Sequence, residues 1–228
     1  MIRGKKYINR VKTFPMNKTI HLFAFLLIFA ISLKCRSQSF ITIDGSQTFS
    51  NFRFTDSQGK KDKNYSVVAS GGYSLGYRMC KKGFFVRFNL GMRKAGATAA
   101  FDNGTISWNL QYCDLRLGAG YELDKWRIKP YVSAAPYLSF LLSANQSLNG
   151  LNYDIKRTKS IKNSDAGVLI IPGVRAMISD YFSIYTEFSY LIGLQNLETT
   201  SHQTWKNTGY LFTLGIAATL TKSKPKWL

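Results

Sequence analysis

The sequence contains little histidine and cysteine and, beyond its first 37 residues, has no long hydrophobic run. Only 2 of its 228 residues are histidine and 3 are cysteine, and they form neither a Cys-x-x-Cys nor a His-Glu-x-x-His motif. Zinc sites need clusters of such ligands at short spacings. A membrane-spanning helix needs about 20 apolar residues in a row. We therefore expect no metal site, no cofactor and no transmembrane helix in this part of the chain.

Acidic residues are also scarce, and none of the 12 lies within the first 37 residues. That segment is basic at first and then apolar over residues 22–33, which is the order found in a secretory signal peptide. The apolar run is too short to anchor the chain as a helix. We predict a cleavable signal over residues 1–37, with cleavage after Ser37 or at the neighbouring Ser39.

Translation could begin at Met1 or at Met16, and Cys35 follows Lys34 rather than the small residue that usually precedes a lipid-accepting cysteine. Removal of the signal would leave 191 residues, the size of one domain, over residues 38–228. Because 8 of the 31 Lys and Arg residues lie in the signal, the remaining formal charge is +11. An exported basic protein without a nucleic-acid-binding motif is expected to meet anionic lipid rather than nucleic acid.

The chain after the signal alternates between apolar and polar residues. In the last segment Tyr210, Phe212 and Leu214 share one face, while Thr213 and Gly215 share the other. This period of two predicts β-strands. Eight such segments can be drawn: 39–54, 65–79, 84–94, 105–122, 127–142, 166–178, 183–196 and 209–222.

The length of these segments favours a membrane barrel over a secreted β-sandwich, which is the competing fold. Strands of soluble domains average about 5 or 6 residues, whereas a tilted membrane strand needs about 9 to 11. The expected fold is all-β, an eight-stranded antiparallel transmembrane β-barrel in the outer membrane, which leaves no sheet edge unpaired in hydrocarbon.

The connections alternate between short and long. Short turns are predicted at residues 80–83, 124–126 and 180–181, and longer loops at 55–64, 95–104, 143–165 and 197–208. In bacterial barrels the short turns face the periplasm and the long loops face outward. Aromatic residues at both ends would form the two interfacial girdles, with Tyr77, Phe84, Tyr121, Trp126 and Phe182 near the short turns and Trp108, Trp205 and Tyr210 near the long loops.

The same alternation places seven charged residues inside the barrel: Arg87, Arg93, Asp114, Arg116, Lys129, Arg175 and Glu187. Because side chains fill the interior of an eight-stranded barrel, we expect an ion-pair network rather than an open channel. Cys80 and Cys113 are expected to be free thiols.

Catalysis could depend on only one histidine of the exported chain. His202 lies beside Ser201 and near Glu198 in a predicted loop, so a lipid-A-modifying barrel enzyme is one hypothesis. A histidine in a loop is more often simply solvated, and no spacing in the sequence holds these groups in a fixed geometry. We therefore expect a non-enzymatic protein with no catalytic residue, which is either structural or binds lipid or a partner protein through its loops.

Two predicted loops are rich in basic residues: Lys60, Lys61 and Lys63 in the first, and Lys156, Arg157, Lys159 and Lys162 in the second. Such runs are often plain solvated surface. Beside phosphorylated outer-leaflet lipid, each cation would contribute about 1 kcal/mol of binding. Lipopolysaccharide is therefore an expected partner, although either interpretation fits the sequence.

Several phrases resemble the PorT-like outer-membrane β-barrel family, the small "porin family" barrels, and the match is best over residues 105–222. Tyr112-Cys113-Asp114-Leu115-Arg116-Leu117 is similar to that family's Tyr-Leu-Glu-Ile-Pro-Leu strand, and Lys129-Pro130-Tyr131 to its Lys-Pro-Tyr strand. Asp165-Ala166-Gly167 is similar to its Asp-aromatic-Gly phrase, with Ala166 where the aromatic residue is expected. Glu187-Phe188-Ser189-Tyr190-Leu191-Ile192-Gly193-Leu194-Gln195-Asn196 is similar to its Arg-Tyr-x-x-Gly-Leu-x-Asn phrase, with Ser189 where the arginine is expected. The resemblance implies an outer-membrane barrel and, for the named member, an accessory role in a protein secretion system.

Overall fold

The computed structural model describes residues 38–55, 58–62, 65–101, 104–124, 127–158, 160–199 and 203–221. The predicted signal peptide over residues 1–37 lies outside them. The described residues form ten strands: β1 (Gln38–Thr55), β2 (Lys61–Asp62), β3 (Tyr65–Lys81), β4 (Phe84–Phe101), β5 (Gly104–Glu122), β6 (Ile128–Leu148), β7 (Leu151–Asp154), β8 (Ser164–Met177), β9 (Phe182–Gly193) and β10 (Thr204–Thr219). No helix in the described part of the chain is long and apolar enough to cross a membrane.

Eight of the strands are long, and they close into a ring. The order is β10-β9-β8-β6-β5-β4-β3-β1, and β1 also pairs with β10, from Phe40↔Thr219 to Thr55↔Thr204. Every pairing is antiparallel. The predicted eight-stranded barrel is confirmed, and β2 and β7 are short additions at one end of it.

The two ends of the barrel differ in their connections. Residues 82–83, 123–127 and 178–181 join strands at the turn end, where β1 begins and β10 ends. Lys82 and Gly83 both have positive φ values, 51° and 85°, which a tight hairpin turn requires. Residues 56–64, 102–103, 149–163 and 194–203 connect strands at the loop end.

Two of the predicted loops are largely strand. The prediction of a loop over residues 95–104 is wrong, because β4 and β5 stay paired up to Phe101↔Gly104 and leave a two-residue connection. Within the predicted loop 143–165, β6 continues to Leu148 and β7 folds back onto it. Ala95, Ala97 and Ala99 of this segment are buried in an apolar cluster with bulkier side chains.

The alternation of apolar and polar residues changes phase partway along β5. Toward the turn end Leu115 and Leu117 face outward, and Asp114 is buried inside. Beyond Tyr112 the pattern inverts, and polar residues face outward: Gln111, Asn109, Ser107 and Thr105. Trp108 and Leu110 are buried there instead. Because lipid favours apolar residues on the outside and water favours polar ones, this inversion marks the end of the apolar layer.

The aromatic girdle is confirmed at the turn end and corrected at the loop end. Outward-facing aromatic residues near the short turns are Tyr77, Phe84, Tyr121 and Phe182. Trp126 lies outside the described residues. At the loop end Tyr210 faces outward, but Trp108 is buried in the interior and Trp205 packs against it, 5.5 Å between ring centroids. The prediction that these two tryptophans lie in the girdle is wrong, because they lie beyond the phase inversion, where apolar residues point inward.

Candidate functional site

The interior near the turn end is organised around Glu122. This carboxylate is fully buried and accepts hydrogen bonds from Arg78 and Arg175, each at 2.5 Å. The guanidinium group of Arg78 also lies 3.6 Å from the centre of the Phe85 ring, and that of Arg175 lies 4.6 Å from Phe40. One carboxylate therefore holds arginines from two strands, β3 and β8, across the bore.

A second set of polar contacts lies in the middle of the bore. Glu187 accepts hydrogen bonds from Arg87 and, at 2.6 Å, from the Tyr131 hydroxyl. Asp44 accepts from the hydroxyls of Ser74 and Tyr185, both at 2.8 Å. The contacts of Glu187 join β9 to β4 and β6, and those of Asp44 join β1 to β3 and β9.

The third set lies next to the phase inversion. Asp114 accepts from Arg93 at 2.8 Å, from Arg116 at 2.9 Å and from Ser139 at 2.7 Å. Asp165 accepts from Asn207 at 2.7 Å and from Tyr137 at 3.1 Å. Each carboxylate is therefore shared among donors on several strands, which is the condition under which buried charge is tolerated.

The ion-pair network predicted from the sequence is confirmed. All seven predicted interior residues are buried, and each belongs to an ion pair; that of Lys129 is with Asp124. The prediction missed Asp44, Arg78, Glu122 and Asp165, which follow the same alternation and could have been found from it. The described interior contains six buried cations and five buried anions, so its charges nearly balance.

Three interior tyrosines reach their carboxylates across glycines. Tyr137 lies opposite Gly167, Tyr131 opposite Gly173, and Tyr185 opposite Gly215. A Cβ atom at Gly173 would lie 2.5 Å from the Tyr131 ring, and one at Gly215 would lie 2.4 Å from the Tyr185 ring. Since real Cβ atoms do not approach so closely, glycine is required for the ring to lie flat across the neighbouring strand.

An apolar cluster fills the bore at the loop end, and we call it the plug. Its aromatic centre is Phe52, Trp108 and Trp205, with Phe52 and Trp205 stacked at 5.3 Å. The loops contribute Ile155, Ile161 and Leu197, which are all buried. The interior is therefore occupied by ion pairs from the turn end to the phase inversion and by apolar side chains beyond it.

The basic residues of the second predicted loop lie in the connection between β7 and β8. Asp154 accepts backbone hydrogen bonds from Lys156 and Arg157, and the buried Ile155 and Ile161 anchor that loop. The basic residues between and beside these anchors stay outside the core: Lys156, Arg157 and Lys162.

Lys60 and Lys61 lie in the connection between β1 and β3, while Lys63 and Lys159 lie outside the described residues. Strands β4 and β5 separate the two loops in the ring on one side, and β9 and β10 on the other. Of the described residues, Lys60 and Lys61 are therefore separated from Lys156, Arg157 and Lys162 by two strands in either direction around the ring.

The residues of the catalytic hypothesis are not brought together by described contacts. Ser201 and His202 lie outside the described residues, and Glu198 is partly buried beside Ile161. Within the described ranges, no group of three or more His, Cys, Asp or Glu residues could hold a metal ion. Cys80 and Cys113 are free thiols, as predicted.

A family model described as an outer membrane protein beta-barrel domain matches residues 36–198. The chain belongs to this family. It is an outer-membrane β-barrel protein, and the match spans most of the barrel. Curated protein sequences give no significant match.

The protein is similar in fold to solved structures of small outer-membrane proteins. OprG from Pseudomonas aeruginosa is 8% identical with a TM-score of 0.52, over 81% of this chain and 96% of that one. AlkL, solved in DMPC lipid bilayers, is 12% identical with a TM-score of 0.50, over 83% and 92%. Neisserial surface protein A is 11% identical with a TM-score of 0.47, over 79% and 96%. At these identities the likeness to OprG and AlkL shows the fold alone.

Proposed function

We propose that this outer-membrane barrel is non-enzymatic and acts through its loop-end surface, which binds anionic lipid headgroups or lipopolysaccharide. The observation that carries the proposal is the filled bore, because ion pairs and the plug occupy the described interior. Large barrels instead enclose an open channel. The excess positive charge lies outside this nearly neutral interior. Both facts support a function at the surface.

The proposal requires the loop end to face the outside of the cell. A cysteine at Asn152, exposed on β7, is expected to react with a membrane-impermeant maleimide in intact cells, whereas a cysteine at Asp180 in a turn is expected to react only after lysis. The unsubstituted chain is the control, since Cys80 is buried and Cys113 is partly buried on the lipid-facing side of β5. The reverse labelling pattern would put the basic loops in the periplasm and contradict the proposal.

The anchored β7–β8 loop gives the most direct test of lipid binding. Replacing Lys156, Arg157 and Lys162 together with glutamine is expected to weaken binding of phosphorylated lipid A at least tenfold, because each cation contributes about 1 kcal/mol near an anionic surface. Native mass spectrometry of the full chain folded in detergent measures the affinity. A variant with Lys81→Gln and Arg127→Gln at the turn end is the control, and equal losses in both variants would count against loop-mediated binding.

The non-enzymatic part of the proposal is tested at His202. Replacing His202 with alanine is expected to leave the lipid A of the host cell unchanged in a mass spectrum, because no fixed partner geometry for this histidine follows from its position. A change in acylation or phosphate content on replacement would support a lipid-modifying enzyme instead.

A secretion-accessory role of the PorT-like kind remains a hypothesis. It rests on phrases whose residues have structural roles inside the barrel: Gly167 accommodates Tyr137, and Asp165 accepts its hydroxyl hydrogen bond. Such residues support the fold and say little about a partner.

A further inference from the structure

We infer that Arg53 and Lys206 form a binding site on the outer wall of the barrel for the phosphate group of an outer-leaflet lipid. The inference rests on the proposed function for the class of ligand, but it uses two wall residues that are not among the predicted loop cations. Arg53 on β1 lies directly opposite Lys206 on β10, at the seam where the ring closes.

The two side chains belong to the outward faces of their strands. Phe52 and Asn207, the neighbouring cross-strand pair, are buried inside. Arg53 is exposed and Lys206 is partly exposed. Strand alternation therefore directs both cations away from the plug and toward the surroundings of the barrel.

Like charges directly opposite each other destabilise a strand pair. Neither Arg53 nor Lys206 forms an ion pair with any residue whose side chain the structure describes. An anion between them would offset this repulsion. A phosphate group fits best, since it has several acceptor oxygens and can bind a guanidinium group and an ammonium group at once.

The position along the strands matches the headgroup layer of a bilayer. On the same outward face, Phe49 pairs with Tyr210 and Asn51 pairs with Thr208 before the cations are reached. Arg53 lies four residues beyond Phe49 on β1. At about 3.3 Å per residue this is about 13 Å along the strand, or about 10 Å along the membrane normal for a strand tilted by about 40°. The headgroup region beyond the hydrocarbon is about 5–8 Å thick on each face, and long basic side chains bend back into it.

An aromatic surface for acyl chains lies directly below this cation pair. Tyr210 stacks on Phe188 at 5.5 Å and lies 5.1 Å from Tyr190, and both Phe49 and Tyr210 are exposed. A ligand that contacts both the cation pair and this aromatic surface needs a phosphorylated head and an apolar tail. This combination identifies a phosphorylated membrane lipid rather than a soluble anion or a protein.

The test is a double variant, Arg53→Gln with Lys206→Gln, in the full chain folded in detergent. Its affinity for bisphosphorylated lipid A, measured by native mass spectrometry, is expected to fall about 30-fold. Its affinity for dephosphorylated lipid A with the same acyl chains is expected to stay unchanged. Lys94→Gln is the matched control, because Lys94 is an exposed cation on the wall at β4 that lies opposite Gln111 rather than another cation.

The outcomes separate this inference from the proposed function. If the unsubstituted chain does not distinguish the two forms of lipid A, the proposed function fails. A different result is possible when the unsubstituted chain does distinguish the two forms. If the loop variant then loses affinity but the Arg53 and Lys206 double variant binds lipid A as well as Lys94→Gln does, the inference fails. The proposed function stands in that case. Unchanged heat-modifiability of the double variant on gels excludes misfolding as the cause of a loss.

Discussion

Replacing Glu122 with alanine is expected to lower the free energy of unfolding by about 3–5 kcal/mol. The carboxylate is fully buried and is the shared partner of Arg78 and Arg175. Its removal leaves two guanidinium groups close together inside the barrel without a counter-charge. Urea unfolding of the protein folded in lipid vesicles, followed by tryptophan fluorescence, measures the change.

Two control variants isolate the role of the shared charge. Glu122→Gln keeps the shape and is expected to recover only a small part of the loss, because an amide does not neutralise two arginines. Asp180→Ala removes an exposed turn carboxylate that forms no ion pair with a described side chain, so a loss below about 1 kcal/mol is expected. Similar small losses for Glu122→Ala and Asp180→Ala would mean that the interior network does not stabilise the barrel.

Replacing Trp108 with alanine is expected to destabilise the protein by about 3–5 kcal/mol and to open the plug. The Trp108 ring contacts three aromatic neighbours, Phe52, Tyr65 and Trp205, at 5.5 to 6.1 Å between centroids. Alanine leaves a cavity that the paired strands cannot close by moving inward. The same urea unfolding experiment measures the loss of stability.

Trp108→Phe is the matched control for this variant. It keeps an aromatic ring in the plug and is expected to cost less than half as much as the change to alanine. If Trp108→Ala were as stable as the unsubstituted protein, Trp108 would be a lipid-facing girdle residue, as its sequence position first suggested, and the description of the plug would be wrong.

The fold could be predicted from the sequence because a barrel strand carries its own signal. Each strand that crosses lipid must alternate, and the alternation also identifies which charged side chains face the bore, such as Arg87 and Glu187. The pairing of those charges could not be predicted. It depends on the stagger between strands, which brings Arg87 on β4 against Glu187 on β9 although the two strands are not neighbours in the ring.

The loop end was harder to predict because its strands leave the apolar layer. Once the outside of the barrel meets water, the inward face becomes the apolar one, so Trp108 changes from an expected girdle residue to a buried one. The polar series Gln111, Asn109, Ser107 and Thr105 contained that signal. Arg53 and Lys206 were missed for another reason, since only the register of β1 and β10 shows that they face each other.

The central claim is that this outer-membrane barrel works through its outer surface because its bore is filled. Conductance of the purified, unsubstituted protein in a planar lipid bilayer tests that claim most directly. The account predicts no steady channel current, either for this protein or for Trp108→Ala, because the ion pairs still fill the bore between the turn end and the plug. A stable, ohmic channel in the unsubstituted protein would contradict the account and assign the function to the bore.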